Sequence, residues 1–402
     1  MNEEKQGKED PLLKGAVIVL VIVGLIVIYD ASFPRSGGGQ IARQAVWALV
    51  GVVAYLIGRR MSLRTLYRWA PLFALVALLM MLAVRFSSLG AERGGAYRWL
   101  KLGQVGAMEI LVQPAEFGKI ALIILLARLL CHSNMVSACQ PVQAGRLPWA
   151  ALIGLLIMAG VVGGVQEDLG TALVFCGIGM TMLFVAGVPF RWVALLTAVL
   201  AVATAFFIYQ KEYRWVRIVA FTQPFAYLDT AGYQLAHSLM GIGTGGVWGT
   251  GLGMGRAKEF LPASETDFVF TTVAEETGIF GSTAIIALLA LVSWRVFVIA
   301  SKAQAMFLLL LGNGIGVWIA LQTLLNLYVV VGAAPTTGVP LPFISYGGSS
   351  LVSLLFCIGL TQKIASNPMM GRIERQGHAR IGSGRGNGRA SVPRREYRRG
   401  VA

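Results

Sequence analysis

Charge is what this sequence has little of. Only 13% of its 402 residues are Asp, Glu, Lys or Arg, against roughly 25% in an ordinary soluble domain. With 56% hydrophobic residues, that shortage excludes a soluble globular chain of this length. Histidine is scarce, and His132, His237 and His378 lie far apart, which argues against a zinc site. The four cysteines (Cys131, Cys139, Cys176, Cys357) show no framework spacing. Two fall in apolar runs and two in one loop, so neither disulfides nor metal are expected. Alternating strand patterns are absent, which favours helices over a membrane barrel. Acids are outnumbered, giving a net charge of +15, but the excess sits in one tail with nine arginines from Arg372 to Arg399. Its low apolar content reads as a disordered topology tail that touches anionic lipid. Nucleic acid is not an expected partner.

What is present is a series of long apolar runs, at about 15–32, 44–58, 69–84, 111–130, 148–165, 170–187, 191–209, 272–297, 304–331 and 346–364. Each is close to the roughly 20 residues that cross a bilayer. The expected fold is therefore all-α, a polytopic membrane protein of about ten transmembrane helices. The first run has no small-residue cleavage site and is expected to stay as helix 1. Arg59, Arg60, Arg64 and Arg68 crowd one short loop, whereas 331–345 carries no charge. The positive-inside rule then puts both termini in the cytoplasm. The organisation expected is a cytoplasmic segment at 1–14, a transmembrane domain at 15–365 and a basic cytoplasmic tail at 366–402. Two outward segments, 85–110 and 210–271, are too long for plain connectors.

The candidate chemistry lies in or beside those segments. In LPASETDFVFTTVAEETG (Leu261–Gly278), Asp267 stands at the outer edge of the eighth run. Desolvation there raises a carboxylate's pKa and suits a general base at neutral pH; alternatively Asp267 only caps the helix. Glu275 and Glu276 lie deeper, as functional candidates or as partners of a buried base. In QPAEFGKIALI (Gln113–Ile123), Glu116 and Lys119 share one helix face and either neutralise each other or leave Lys119 to bind an anion. Arg93, Arg98 and Lys101 beside Trp99 fit a lipid phosphate or sugar, and equally an interfacial anchor. Glu167 and Asp168 end the fifth run, with Asp168 a candidate cap for the sixth. Gly241–Gly255 holds eight glycines in fifteen residues; no strand precedes it, so close backbone approach is the better account than a dinucleotide site. PTTGVPLPFISYGGSSL (Pro335–Leu351) reads as irregular backbone entering the last helix, which membrane depth tolerates only against protein or a wet cavity.

Together these segments resemble the SEDS family (shape, elongation, division and sporulation) over about residues 15–365. GLGMGRAKEFLP and PTTGVPLPFISYGGSS resemble the division branch, FtsW, more than the elongation branch. The resemblance implies an outward cavity that polymerises lipid II into glycan strands, with the aspartate of the LP…TDF motif, here Asp267, as catalytic residue. Lys119 matches the lysine after QP.E, and Arg98 and Trp99 match the family's RW pair. Substrate contacts are expected from Lys119, Arg98, Trp99, Lys101, Glu116, Arg214, Arg217 and Glu265. The sequence departs from the family at Ala115 (usually serine), Glu167 (usually proline) and Glu265 (commonly histidine). Glu265 either raises the pKa of Asp267 or helps hold a divalent cation; no cofactor is otherwise expected. An α-linked donor giving a β-1,4 product requires inversion, so one base is sufficient. A class B penicillin-binding protein is the implied partner, with membrane lipid around both. The rival readings are a lipid II flippase and a scaffold that recruits a division transpeptidase.

Overall fold

A computed structural model of the chain describes residues 8–36, 39–93, 96–105, 108–131, 148–210, 212–262 and 264–367. The basic tail from 368 onward, with His132 and Cys139, lies outside the described residues.

Each apolar run forms a helix. They are α1 (Pro11–Ser36), α2 (Gly39–Arg60), α3 (Leu63–Phe86), α4 (Pro114–Leu129), α5 (Trp149–Gly160), α6 (Leu169–Val185), α7 (Phe190–Tyr209), α11 (Val269–Ser301), α12 (Met306–Val330) and α13 (Gly348–Ser366). Among the described residues seven of these are long and apolar enough to cross a membrane. The others are shorter: α5 with its π-turn Val161–Val165 and α6 are apolar, and α4 carries Glu116, Lys119 and Arg128. This is a multi-pass membrane protein. Ten principal helices among the described residues are roughly consistent with the expected number.

Helices α4 and α12 form the centre. Nearly every residue of α4 from Pro114 to Ala127 is buried, including Glu116 and Lys119. Helix α7 lies at the opposite extreme, with no buried residue; such a helix is stable only if its apolar surface meets lipid. At the start of the chain Asp10 accepts from Leu13 N (2.9 Å) and Arg295 Nε (3.0 Å). Burial pushes its carboxyl up, but the Arg295 contacts together with the backbone N–H groups of Leu13 and Leu12 outweigh that and hold it below the usual range.

The segment between α3 and α4 differs from the all-helical expectation locally. It is a three-stranded antiparallel sheet: β1 (Gly90–Arg93), β2 (Ala96–Val105) and β3 (Met108–Val112) in that order. Trp99 pairs with Ala91, and Leu100 pairs with both Gly90 and Val112. The Gly94-Gly95 dipeptide between two such strands is a hairpin signal.

The long segment before α11 is also folded. It contains α8 (Glu212–Thr222), a 3₁₀ turn (Pro224–Tyr227), α9 (Tyr233–Gly245) and α10 (Ala257–Phe260). The glycine-rich stretch after α9 packs backbone on backbone against α11. Thr250 N and Gly251 N donate to the carbonyls of Glu275 and Glu276 (2.9 and 3.1 Å), and Ile279 N donates to Gly246 O (3.1 Å). These bonds accompany a break in α11 at Gly278, whose φ of +62° is costly for residues with a Cβ.

Candidate active site

Asp267 stands one residue before the N-cap of α11. The cap position itself belongs to Phe268, and no side chain caps this helix, so the capping account of Asp267 finds no support in the geometry. Three consecutive backbone carbonyls fix the segment. Glu265 O accepts from Tyr346 N (2.8 Å), Thr266 O from Ser345 Oγ (2.6 Å), and Asp267 O from Asn326 Nδ2 (2.7 Å). The donors all come from α12 or the loop that follows it, so the irregular Pro335–Tyr346 backbone holds the aspartate in place.

The carboxylate opens on a cavity of about 180 Å³. The cavity is lined by Asp267, Phe268 and Thr336 to Val339, with Arg98, Arg217, Gln234 and Val329. Gly338 stands close to both Arg98 and Asp267. Its φ is +71°, and a Cβ there would lie 3.3 Å from Arg98 Nη1 and 3.5 Å from Asp267 Oδ2. Burial pushes the Asp267 carboxyl up to about 6; Arg98 and Arg217 pull it down, while Asp168 pushes it further up. The Glu265 carboxylate turns to α2, where it accepts from Gln40 Nε2 (2.6 Å).

Asp168 is the second carboxylate of the site. It caps α6, accepting from Thr171 N (3.1 Å) and Thr171 Oγ1 (2.9 Å), and its Oδ2 lies 3.3 Å from Arg98 Nε. That contact is an ion pair without a hydrogen bond. Arg98 Nε is buried and has no hydrogen-bond partner among the described residues, and neither has Thr337 Oγ1, which lines the same cavity. Buried polar atoms in folded proteins nearly always find partners, so two orphans at one cavity mark a place shaped for a polar ligand. Next to Asp168, Glu167 takes a φ of +56°, which proline cannot adopt; the departure from the family's usual proline therefore goes with a different local backbone.

The remaining candidates lie elsewhere. Lys119 is buried, donating to Glu116 Oε1 (2.8 Å) and Gln322 Oε1 (2.8 Å), with its ammonium 4.7 Å from the Trp318 ring centre. Neither it nor Glu116 lines the cavity. Lys101 is exposed and pairs with Glu109 across β2 and β3 at 2.5 Å, on the strand that also carries the half-exposed Trp99. Arg214 lies in α8, but its side chain, like that of Arg93, is outside the described set. Glu275 and Glu276 are structural. Glu275 accepts from Arg256 N and Ala257 N (3.0 and 2.9 Å), and Glu276 from Gly253 N and Gly255 N (3.0 and 3.2 Å). Lys258 joins Glu276 (2.8 Å) to Asp30 of α1 (2.6 Å). Among the described residues no three His, Cys, Asp or Glu side chains gather as a metal site. With Glu265 drawn to Gln40 and Arg98 beside Asp168, this donor set does not fit a protein-held divalent cation.

The order of elements, the aspartate motif just before α11 and the proline-glycine loop packed on it invite comparison with known proteins. Residues 11–369 match the model of the FtsW, RodA and SpoVE family, described as cell cycle proteins. The chain belongs to this family, the SEDS proteins. It is FtsW-like among them. It is 35% identical over 370 residues to the probable peptidoglycan glycosyltransferase FtsW of Synechocystis, covering 89% of each chain. It is 31% identical over 368 residues to the stage V sporulation protein E of Bacillus subtilis, covering 90% of this chain and 98% of that one. Among solved structures it resembles a chain of a peptidoglycan synthase complex that coordinates polymerization and crosslinking, with a TM-score of 0.73 and 28% identity. That match covers 90% of this SEDS chain and 99% of the other. The rod shape determining protein RodA of Thermus thermophilus is similar at a TM-score of 0.66 and 26% identity, covering 90% and 97%.

Proposed function

We propose that this SEDS protein is a peptidoglycan glycosyltransferase that polymerises lipid II, with Asp267 as general base. The observation that carries the reading is one carboxylate lining a cavity together with two guanidinium groups, those of Arg98 and Arg217. The acceptor sugar's 4-hydroxyl gives its proton to Asp267 Oδ2 as its oxygen attacks C1 of the donor sugar. The bond from C1 to the undecaprenyl diphosphate breaks on the opposite face, with inversion. The diphosphate leaves with the bond's electron pair, and Arg98 and Arg217 take up its negative charge. A cavity of about 180 Å³ is below the roughly 300–1,000 Å³ of whole-ligand pockets, so it takes the reacting ring and phosphates while the lipid and peptide stay outside. Lys119 supports the bundle in this account rather than the leaving group.

The topology proposed has both termini cytoplasmic and 210–271 extracytoplasmic, with the protein acting at the division septum beside a class B penicillin-binding protein. A lone cysteine at Gln210 should react with an impermeant thiol reagent in intact cells, and reaction only after permeabilisation refutes that orientation. The activity is tested with purified protein and fluorescent lipid II, alone and with the transpeptidase. Glycan strands are expected. Transbilayer movement of lipid II without strand synthesis would support the flippase reading, and neither activity would leave the scaffold.

A further inference from the structure

Helix α12 presents two amide side chains one turn apart, Gln322 and Asn326, both essentially without solvent exposure. Residues four apart on a helix share a face, and here that face meets the loop 336–341. Asn326 Nδ2 donates one hydrogen bond to Asp267 O (2.7 Å) and another to Val339 O (2.9 Å). Its orientation follows from chemistry. Two carbonyl acceptors require the NH₂ end, since the oxygen end would face them with lone pairs. Gln322 Nε2 donates to Pro340 O (2.9 Å), and its Oε1 receives Lys119 Nζ and Trp318 Nε1 (2.8 and 2.7 Å). The connection from α12 to α13 needs such donors because three of its residues, Pro335, Pro340 and Pro342, have no N–H of their own.

Asp267 and Val339 both line the cavity. We infer that Asn326 is a positioning residue for glycosyl transfer, a side chain that bonds the backbone of the base and that of the loop at once, beside the tie that Ser345 makes to Thr266 O, with Gln322 anchoring the loop to the Lys119 network. It touches no reacting atom. Its two bonds set how far Asp267 stands from Gly338 and Arg98, hence where the attacking hydroxyl sits. The inference rests on Asp267 being the base. It also gives the buried Lys119–Glu116 pair a connection to the site that needs no contact with substrate.

The test uses the full-length chain in proteoliposomes with the transpeptidase present throughout. Lipid II kinetics are measured for wild type, Asn326→Ala, Asp267→Asn and the double variant. A misplacement of about 1 Å in a reacting geometry costs roughly 10²-fold, so Asn326→Ala should lower kcat by about 10–100-fold with KM within about twofold. In the Asp267→Asn background it should cost nothing further, as for residues that act as one unit. If Asn326→Ala fails to accumulate in the membrane, Asn326→Ser, which keeps one donor, replaces it and should retain an intermediate kcat. A folded variant with wild-type kcat, a raised KM with unchanged kcat, or an additive loss in the double variant would each overturn the inference. Failure of the base assignment shows separately, as an active Asp267→Asn protein.

Discussion

The pH dependence of polymerisation reads the electrostatics of the site directly. With the Asp267 carboxyl pushed up to about 6, the base is about nine-tenths ionised at pH 7 and about one-tenth at pH 5. The value of kcat/KM, which reports the free enzyme's ionisations, should therefore fall roughly tenfold between its plateau and pH 5. Two substitutions should move this limb in opposite directions. Arg98 lowers the Asp267 pKa and Asp168 raises it. Arg98→Gln should shift the limb to higher pH, and Asp168→Asn should shift it to lower pH. Asp168→Asn keeps the cap on α6, because Asn and Asp cap about equally well, so its fold is expected to survive. The assay is strand synthesis from fluorescent lipid II between pH 5 and 8.5 at subsaturating substrate. Shifts of the same sign, or no limb near pH 6, would refute the assignment of these charges. The stability sign runs the other way from that of an ion-paired acid. A folded-state pKa above the unfolded 3.8 means ionising Asp267 costs stability, a loss that develops as pH rises from about 4 through 6.

Three further outcomes follow from the geometry. Lys119→Met should destabilise the bundle by about 3–5 kcal/mol by stranding Glu116, and adding Glu116→Leu should restore much of the loss in a detergent melt. Asp30→Asn should cost less stability than Lys258→Met, because Lys258 keeps Glu276 and Gly253 O as partners, whereas removing the lysine leaves the buried Glu276 and the half-buried Asp30 without their cation; thermal unfolding ranks them. Gly338→Ala should pay about 1–2 kcal/mol for its left-handed backbone. Its methyl would also crowd Arg98 Nη1 and fill the space beside Asp267 Oδ2, so kcat should drop roughly tenfold or more in folded protein.

The helices were legible because membrane crossing writes itself as uninterrupted apolar length, and all ten runs became helices. The sheet at 90–112 escaped because its strands are short and carry Arg98, Lys101 and Glu109 among their apolar residues, so no run marks them; only Gly94-Gly95 hinted at a hairpin. Asp267 and Arg98 could be picked out by motif and position. Their neighbours Thr337, Gly338 and Asn326 could not, since their roles arise from carbonyl directions and backbone angles set by a loop some seventy residues away in the chain. Lys119 and Glu116 show the reverse. Spacing alone left open whether they pair or bind an anion, and burial with Gln322 and Trp318 as further partners favours the pair.

The most direct measurement is strand synthesis by purified Asp267→Asn protein reconstituted with fluorescent lipid II. Asn keeps the side chain's shape and removes the base, and it also removes the cost of ionisation, so membrane yield and melting temperature should equal or exceed wild type. Strand synthesis should fall by roughly 10²-fold or more, as expected from losing general-base catalysis. A well-folded Asp267→Asn protein that makes glycan strands at near wild-type rate would contradict the account.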